Sequence, residues 1–130
     1  MNNRFCKEEK LTGKITFEQL VKKGSSLYQF PFRMIYLEKE NAESQSLFPA
    51  RLGISVPKRK FKRAVDRNRL KRIIRESYRM TKGTFLYPFL VDKNKSIDIL
   101  LVYTHSEILD SKTILVKIQS ILSKFRNEFQ

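Results

Sequence analysis

The sequence predicts an α+β fold, a single-domain α-β sandwich with the element order α-β-β-β-α-β-α. Three observations predict it. Apolar residues alternate with a period of two in 27–37 and again in 51–57, a nearly continuous apolar run fills 97–103, and three stretches of helical spacing lie before, between and after them. The 130 residues suit one domain, and 41% hydrophobic content with ten Phe and five Tyr supplies one core. No internal repeat or linker composition divides the chain.

The first helix is expected to start at Thr16. Thr16 and Gln19 have the spacing of a capping box, Ile15 is placed to staple onto Leu20, and Gly24 offers a left-handed stop. Phe17, Leu20 and Val21 share one face of it. Residues 1–13 are polar and aperiodic and are expected to be a flexible extension, with the folded domain spanning 14–130. From Leu27 the period changes to two: Tyr28, Phe30, Phe32, Met34 and Tyr36 fall on one face, with Gln29, Pro31 and Arg33 on the other. Pro31 has no amide donor, so the run is either an edge strand or two short strands broken there. After a polar connection at 38–49, Leu52, Ile54 and Val56 point inward and alternate with Arg51, Gly53 and Ser55.

A basic helix begins near Ala64. Leu70, Ile73, Ile74, Ser77 and Thr81 form its inward stripe, while Asn68, Arg72, Arg75 and Arg79, with Lys71 alongside, form the opposite one. Pro88 and the turn-rich VDKNKS mark the stretch behind it as a connection. Ile97–Tyr103 is apolar at nearly every position, the pattern of a strand covered on both faces. Asp110 or Ser111 caps the last helix, whose stripe is Ile114, Leu115, Ile118, Ile121, Leu122 and Phe125.

Charge is the strongest compositional signal. The chain carries 27 Lys and Arg against 13 Asp and Glu, a formal net charge of +14. Residues 51–82 hold thirteen of the cations against Asp66 and Glu76 alone, a net of +11, which leaves +3 for the other 98 residues. A solvated helix face usually mixes both signs; this concentration repels itself in the compact state, and a polyanion would relieve it. Lys58, Arg59, Lys60, Lys62 and Arg63 also crowd the start of the basic helix. The helix dipole is already positive there, and a fold chosen for stability alone would place acids. Cations beside free backbone amides at a helix start suit a phosphate. The planar arginine forks along the helix suit a phosphate or a base. Nucleic acid is the predicted partner, ahead of a membrane surface or an acidic protein.

Other chemistries are poorly served. A single cysteine, Cys6, excludes an internal disulfide framework and a Cys-rich zinc site, and a single histidine, His105, excludes a multi-histidine metal centre. No stretch approaches the roughly 18–20 apolar residues that span a bilayer. The N-terminal segment lacks the apolar core of a secretory signal. A helix-turn-helix DNA reader needs another helix just before its recognition helix, and here a strand precedes it. A protein-only nuclease needs acidic metal ligands near the basic surface, and Asp66 and Glu76 point to different sides of the helix. The expectation is a cytoplasmic protein with no organic cofactor, no metal of its own and no membrane partner.

The segment from Arg51 to Glu76, RLGISVPKRKFKRAVDRNRLKRIIRE, closely resembles the signature of the bacterial ribonuclease P protein subunit. That family shows a strand ending in S-V-x-K-[KR], a short link, then A-V-x-R-N-R-x-K-R-x-x-R-[EQ]. Here Ser55, Val56, Lys58 and Arg59 lead to Ala64, Val65, Arg67, Asn68, Arg69, Lys71, Arg72, Arg75 and Glu76. A first helix of the family form F-x-x-[VL]-x-[KR]-x-G is matched from Phe17 to Gly24, so the likeness covers residues 14–126. Three features depart from the pattern. The usual Gly-Asn link is replaced by Lys60-Phe61-Lys62-Arg63, one residue longer; the second aromatic of the first helix is Val21; and residues 1–13 have no family counterpart.

The resemblance implies a protein that is not itself the catalyst. A partner RNA, using magnesium, cleaves the 5′ leader from precursor tRNA, and the protein alone is a monomer. By the same resemblance Arg67, Asn68, Arg69, Lys71, Arg72 and Arg75 contact ribonuclease P RNA, beside the charge-derived phosphate contacts Lys60, Lys62 and Arg63. Phe17, Val21 and Tyr36 line a cleft for the single-stranded leader, with Lys58 and Arg59 at its edge. The implied fold is like domain 2 of ribosomal protein S5, with a left-handed β-α-β crossover around the basic helix, against the general right-handed rule.

Overall fold

In the computed structural model, which describes residues 9–39 and 49–129, Pro31 sits in a turn and splits the first alternating run into a hairpin. In chain order the elements are α1 (Lys14–Lys23), β1 (Ser25–Gln29), β2 (Phe32–Glu38), β3 (Ala50–Ser55), α2 (Ala64–Phe85), α3 (Tyr87–Asp92), β4 (Ile97–Tyr103) and α4 (Ser111–Glu128). The sheet order is β1-β2-β4-β3, with β1/β2 and β2/β4 antiparallel and β3/β4 parallel. Helices α2 and α3 form the crossover between the parallel neighbours β3 and β4. The apolar run of β4 makes it a central strand, buried at six of its seven positions.

The two faces of the sheet are covered unequally. Phe32, Met34, Leu52, Ile99, Leu101 and Tyr103 join Leu70, Ile74 and Tyr78 of α2 and the stripe of α4 in the main core. On α4 the buried residues are Ile114, Ile118, Ile121, Leu122 and Phe125, behind an Asp110 cap, with Leu115 half-buried. Each such side chain contributes roughly 1.5–3 kcal/mol on burial, and this, more than propensity, holds the helix in place. The second face carries only a small cluster, Leu11, Leu20 and Leu100, with Phe17, Ile35, Leu37 and Val102 packed on it beneath α1. Helix α1 is therefore a third, partial layer. Among the described residues no helix is long and apolar enough to cross a membrane.

The structure corrects four local expectations. Helix α1 starts at Lys14, because Gly13, at φ 98°, is its N-cap; Thr16 lies inside the first turn and Ile15 is 71% exposed, not stapled. Gly24 ends the helix in extended backbone at φ −74°, not in a left-handed turn, and a Cβ there would lie 2.5 Å from the Leu20 carbonyl oxygen. Residues 87–92 form helix α3, since Pro88 falls in a first turn, where its missing amide forfeits no helical bond. From Glu9 onward the N-terminal extension is docked: Lys10 bridges Leu52 in parallel, the Leu11 amide donates to the Leu52 carbonyl at 3.0 Å, and Glu9 and Leu11 are buried. Residues 1–8 and most of the polar connection, 40–48, lie outside the described residues.

Candidate nucleic-acid interface

Helix α2 is preceded by a link whose backbone is fastened at several points. The Lys60 and Phe61 amides both donate to the Pro57 carbonyl at 3.2 Å. Phe61, in the stretch that departs from the family pattern, is buried in the main core against Tyr103, 6.1 Å between ring centroids. The Lys60 ammonium donates to the Thr104 carbonyl, and the Arg67 guanidinium donates to the carbonyls of Phe61 at 2.9 Å and Lys62 at 3.0 Å. Lys60 and Arg67 therefore shape the link, while Lys58, Arg59, Lys62 and Arg63 are exposed along it. Among the described residues no side chain caps the start of α2 at Arg63, and Asp66 is the one acid in its first turn.

Not all of the +11 reaches solvent. Arg51 makes a two-pronged contact with Asp98, at 2.8 and 2.9 Å, which ties β3 to β4. Lys82 pairs with Glu9 in the interior, and Arg79 pairs with Glu76 at 2.6 Å on the surface. Arg51 and Arg79 are each held above the ordinary arginine value, first by the hydrogen bond to the carboxylate partner. The outward surface of α2 is thus defined by Asn68, Arg69, Arg72 and Arg75, all exposed, with Lys71 half-buried beside them.

Lys71 and Arg75 reach a pocket of about 260 Å³ shared with Phe17, Gly53, Lys10 and Thr12. Its geometry depends on Gly53. A Cβ at that position would lie 2.8 Å from Cε1 of Phe17, so the ring rests directly on the β3 backbone. An aromatic ring flanked by two cations can accept a stacked base and its phosphate together, which is how single strands are commonly held. The pocket joins α1, β3, α2 and the docked N-terminal segment. The sequence reading missed Lys10 and Thr12, because nothing in their pattern signals docking.

Val21, one turn beyond Phe17, is 59% exposed. Tyr36 does not join Phe17. Alternation along β2 sends Phe32, Met34 and Tyr36 to the main core, where Tyr36 packs edge-on against Phe125 and Phe129 at 4.9 and 6.0 Å. The residues of β2 that face α1 are Ile35 and Leu37. The same turn corrects the expected common face for Tyr28 and Phe30 with Phe32: Tyr28 and Phe30 are exposed and Phe32 is buried. Ile35 and Leu37 make β2 apolar on both faces, which signals a strand covered twice but not which face meets α1.

Fold and surface together define a class: a small α+β sandwich with a basic helix set beside a half-covered sheet face. The family model for Ribonuclease P matches residues 5–126. The Ribonuclease P protein component of Aliivibrio fischeri is 35% identical over 115 residues, which cover 85% of this chain and 90% of that protein. That of Nitrosococcus oceani is 41% identical over 63 residues, spanning 48% of each chain. The solved structure of the RNase P protein from Thermotoga maritima superposes with a TM-score of 0.70 at 26% identity, covering 89% of this chain and 96% of that one. The chain belongs to the ribonuclease P protein family.

Proposed function

We propose that this chain is the protein subunit of ribonuclease P, acting in the cytoplasm in the 5′ maturation of tRNA. In this reading the chemistry belongs to the partner RNA and its magnesium, and the protein holds two RNAs side by side. Asn68, Arg69, Arg72 and Arg75 on α2, with Lys58, Arg59, Lys62 and Arg63 before it, take phosphates of ribonuclease P RNA. Lys60 and Arg67 act on the same surface by shaping the link. Phe17 stacks on a base of the single-stranded leader of precursor tRNA, Lys71 and Arg75 meet its backbone, and Val21 lies on the exposed rim.

The observation that carries this reading is the shared pocket, where Phe17 of α1 meets Lys71 and Arg75 of the basic helix. In this reading the two RNA sites adjoin there. Clustered cations at such a junction lower the repulsion between the two RNAs, and the two polyanions held together deepen the negative field in which magnesium binds. The test mixes the protein with ribonuclease P RNA and precursor tRNA at low magnesium. Stimulated leader removal is the expected result. No stimulation, or a magnesium requirement that the protein leaves unchanged, would sink the reading, and cleavage without added RNA would mean a protein nuclease.

A further inference from the structure

The second face of the sheet is built in rows across the strands. Ile35, Leu100 and Gly53 stand opposite one another on β2, β4 and β3 and form the row that α1 covers. The next row is Tyr28, Arg33, Val102 and Ser55, on β1, β2, β4 and β3. It lies two residues further along the strands, about 7 Å away. Helix α1 leaves its β1 end open: Tyr28 is 48% exposed and Arg33 is exposed.

Two further features close around this row. Arg33, Val102, Arg59 and Lys60 line a pocket of about 280 Å³ with Thr104. At the hairpin turn Phe30 is 43% exposed and meets His105 edge-on at 5.0 Å. Two exposed aromatic rings, an imidazole and several cations thus stand at one end of the sheet, one row beyond the Gly53 row on which Phe17 rests. Isolated exposed aromatics need no explanation, but a contiguous aromatic patch beside clustered cations does. Rings that stack and cations that take phosphates are what a single-stranded nucleic acid uses.

We propose that Tyr28 and Arg33 form a second nucleotide subsite for the single-stranded leader, beyond the one at Phe17. A base stacks on the Tyr28 ring, and the neighbouring phosphates meet Arg33 and Arg59. The order of the two subsites follows from the sheet. Phe17 rests on β3, the edge strand near α2, whereas Tyr28 is on β1, the opposite edge. The leader emerges beside the RNA held on α2, so it passes Phe17 first and reaches Tyr28 only when it is long enough. This inference rests on the reading of the chain as the ribonuclease P protein.

The experiment measures the affinity of the assembled holoenzyme for precursor tRNAs whose leaders are shortened stepwise. Tyr28→Ala is expected to weaken the longest leaders about fivefold or more, the share of one stacked base. It leaves the shortest leader unchanged, and Tyr28→Phe restores the wild-type pattern. Arg33→Ala gives the same length dependence without removing a ring, and so tests the subsite even where Tyr28→Ala fails to fold. Loss of affinity independent of leader length, or no loss with any leader, would overturn the subsite. Phe17→Ala separates this outcome from failure of the underlying reading: it should weaken every leader, and if it weakens none, the Phe17 cleft itself is wrong.

Discussion

Glu9 and Lys82, 73 positions apart, form an ion pair in the interior, with side chains 0% and 1% exposed. The Tyr87 hydroxyl donates to the same carboxylate, and the Lys82 ammonium lies 5.2 Å from the Tyr87 ring centroid. This knot joins the N-terminal segment to α2 and α3. It brings Lys10, Leu11 and Thr12 against β3, where they complete the pocket around Phe17.

Lys82→Met is therefore expected to destabilise the protein by about 3–5 kcal/mol, because it leaves the Glu9 carboxylate buried without its cation. Urea unfolding measures this. In the double variant with Glu9→Gln the loss should be smaller than in Lys82→Met alone. Equal or larger loss would mean that the two side chains are not coupled.

Gly53→Ala should separate stability from binding. The added methyl meets the Phe17 ring, whose outward shift limits the loss of stability to about 1–3 kcal/mol, the range for overpacking. Displacing the ring should weaken the leader while leaving affinity for the RNA subunit unchanged. Parallel titrations of the holoenzyme with precursor and mature tRNA check the first outcome, since only the former carries the leader, and titration with ribonuclease P RNA checks the second.

The arginines of the basic helix should divide by their partners. Arg72 and Arg75 are exposed on the RNA side, and alanine at either should flatten the salt dependence of RNA binding by about one phosphate's share. Arg67 holds the link carbonyls of Phe61 and Lys62. Alanine there should lower thermal stability as well as affinity, and melting curves run beside binding isotherms at several salt concentrations distinguish the cases.

Alkaline pH should unfold the protein through its tyrosines. Burial raises Tyr36, Tyr78, Tyr87 and Tyr103 above the ordinary value of 10.0. Below pH 10 both folded and unfolded chains keep these phenols protonated, and nothing is lost. Above it the unfolded chain releases protons that the folded chain retains, so stability falls as pH rises. Denaturant titrations from pH 9 upward should show this decline, and Tyr78→Phe should make it shallower.

Much of the architecture was legible from periodicity. The limits of β4, the start of α2 and the stripe of α4 follow from how side chains repeat, because a strand or helix with one buried face must display that face in its own sequence. The R-N-R spacing likewise marked the family and the basic surface. Elements that depend on partners far along the chain were not legible. Nothing near Glu9 announces Lys82, and nothing near Tyr36 says whether the strand it shares with Ile35 turns one face or the other toward α1.

The sequence by itself determined the element order apart from α3, most of the main core and the concentration of charge between residues 51 and 82. Only the tertiary structure decided how that charge is divided. It turned Arg51 and Lys82 inward onto Asp98 and Glu9, tied Lys60 and Arg67 to backbone carbonyls, and left Arg69, Arg72 and Arg75 to solvent. It also put Phe17 beside Lys71 and Arg75, and Tyr36 on the opposite side of the sheet. The physical reason is common to both. A side chain's periodicity is set by its own backbone, but its partner is set by which elements pack together.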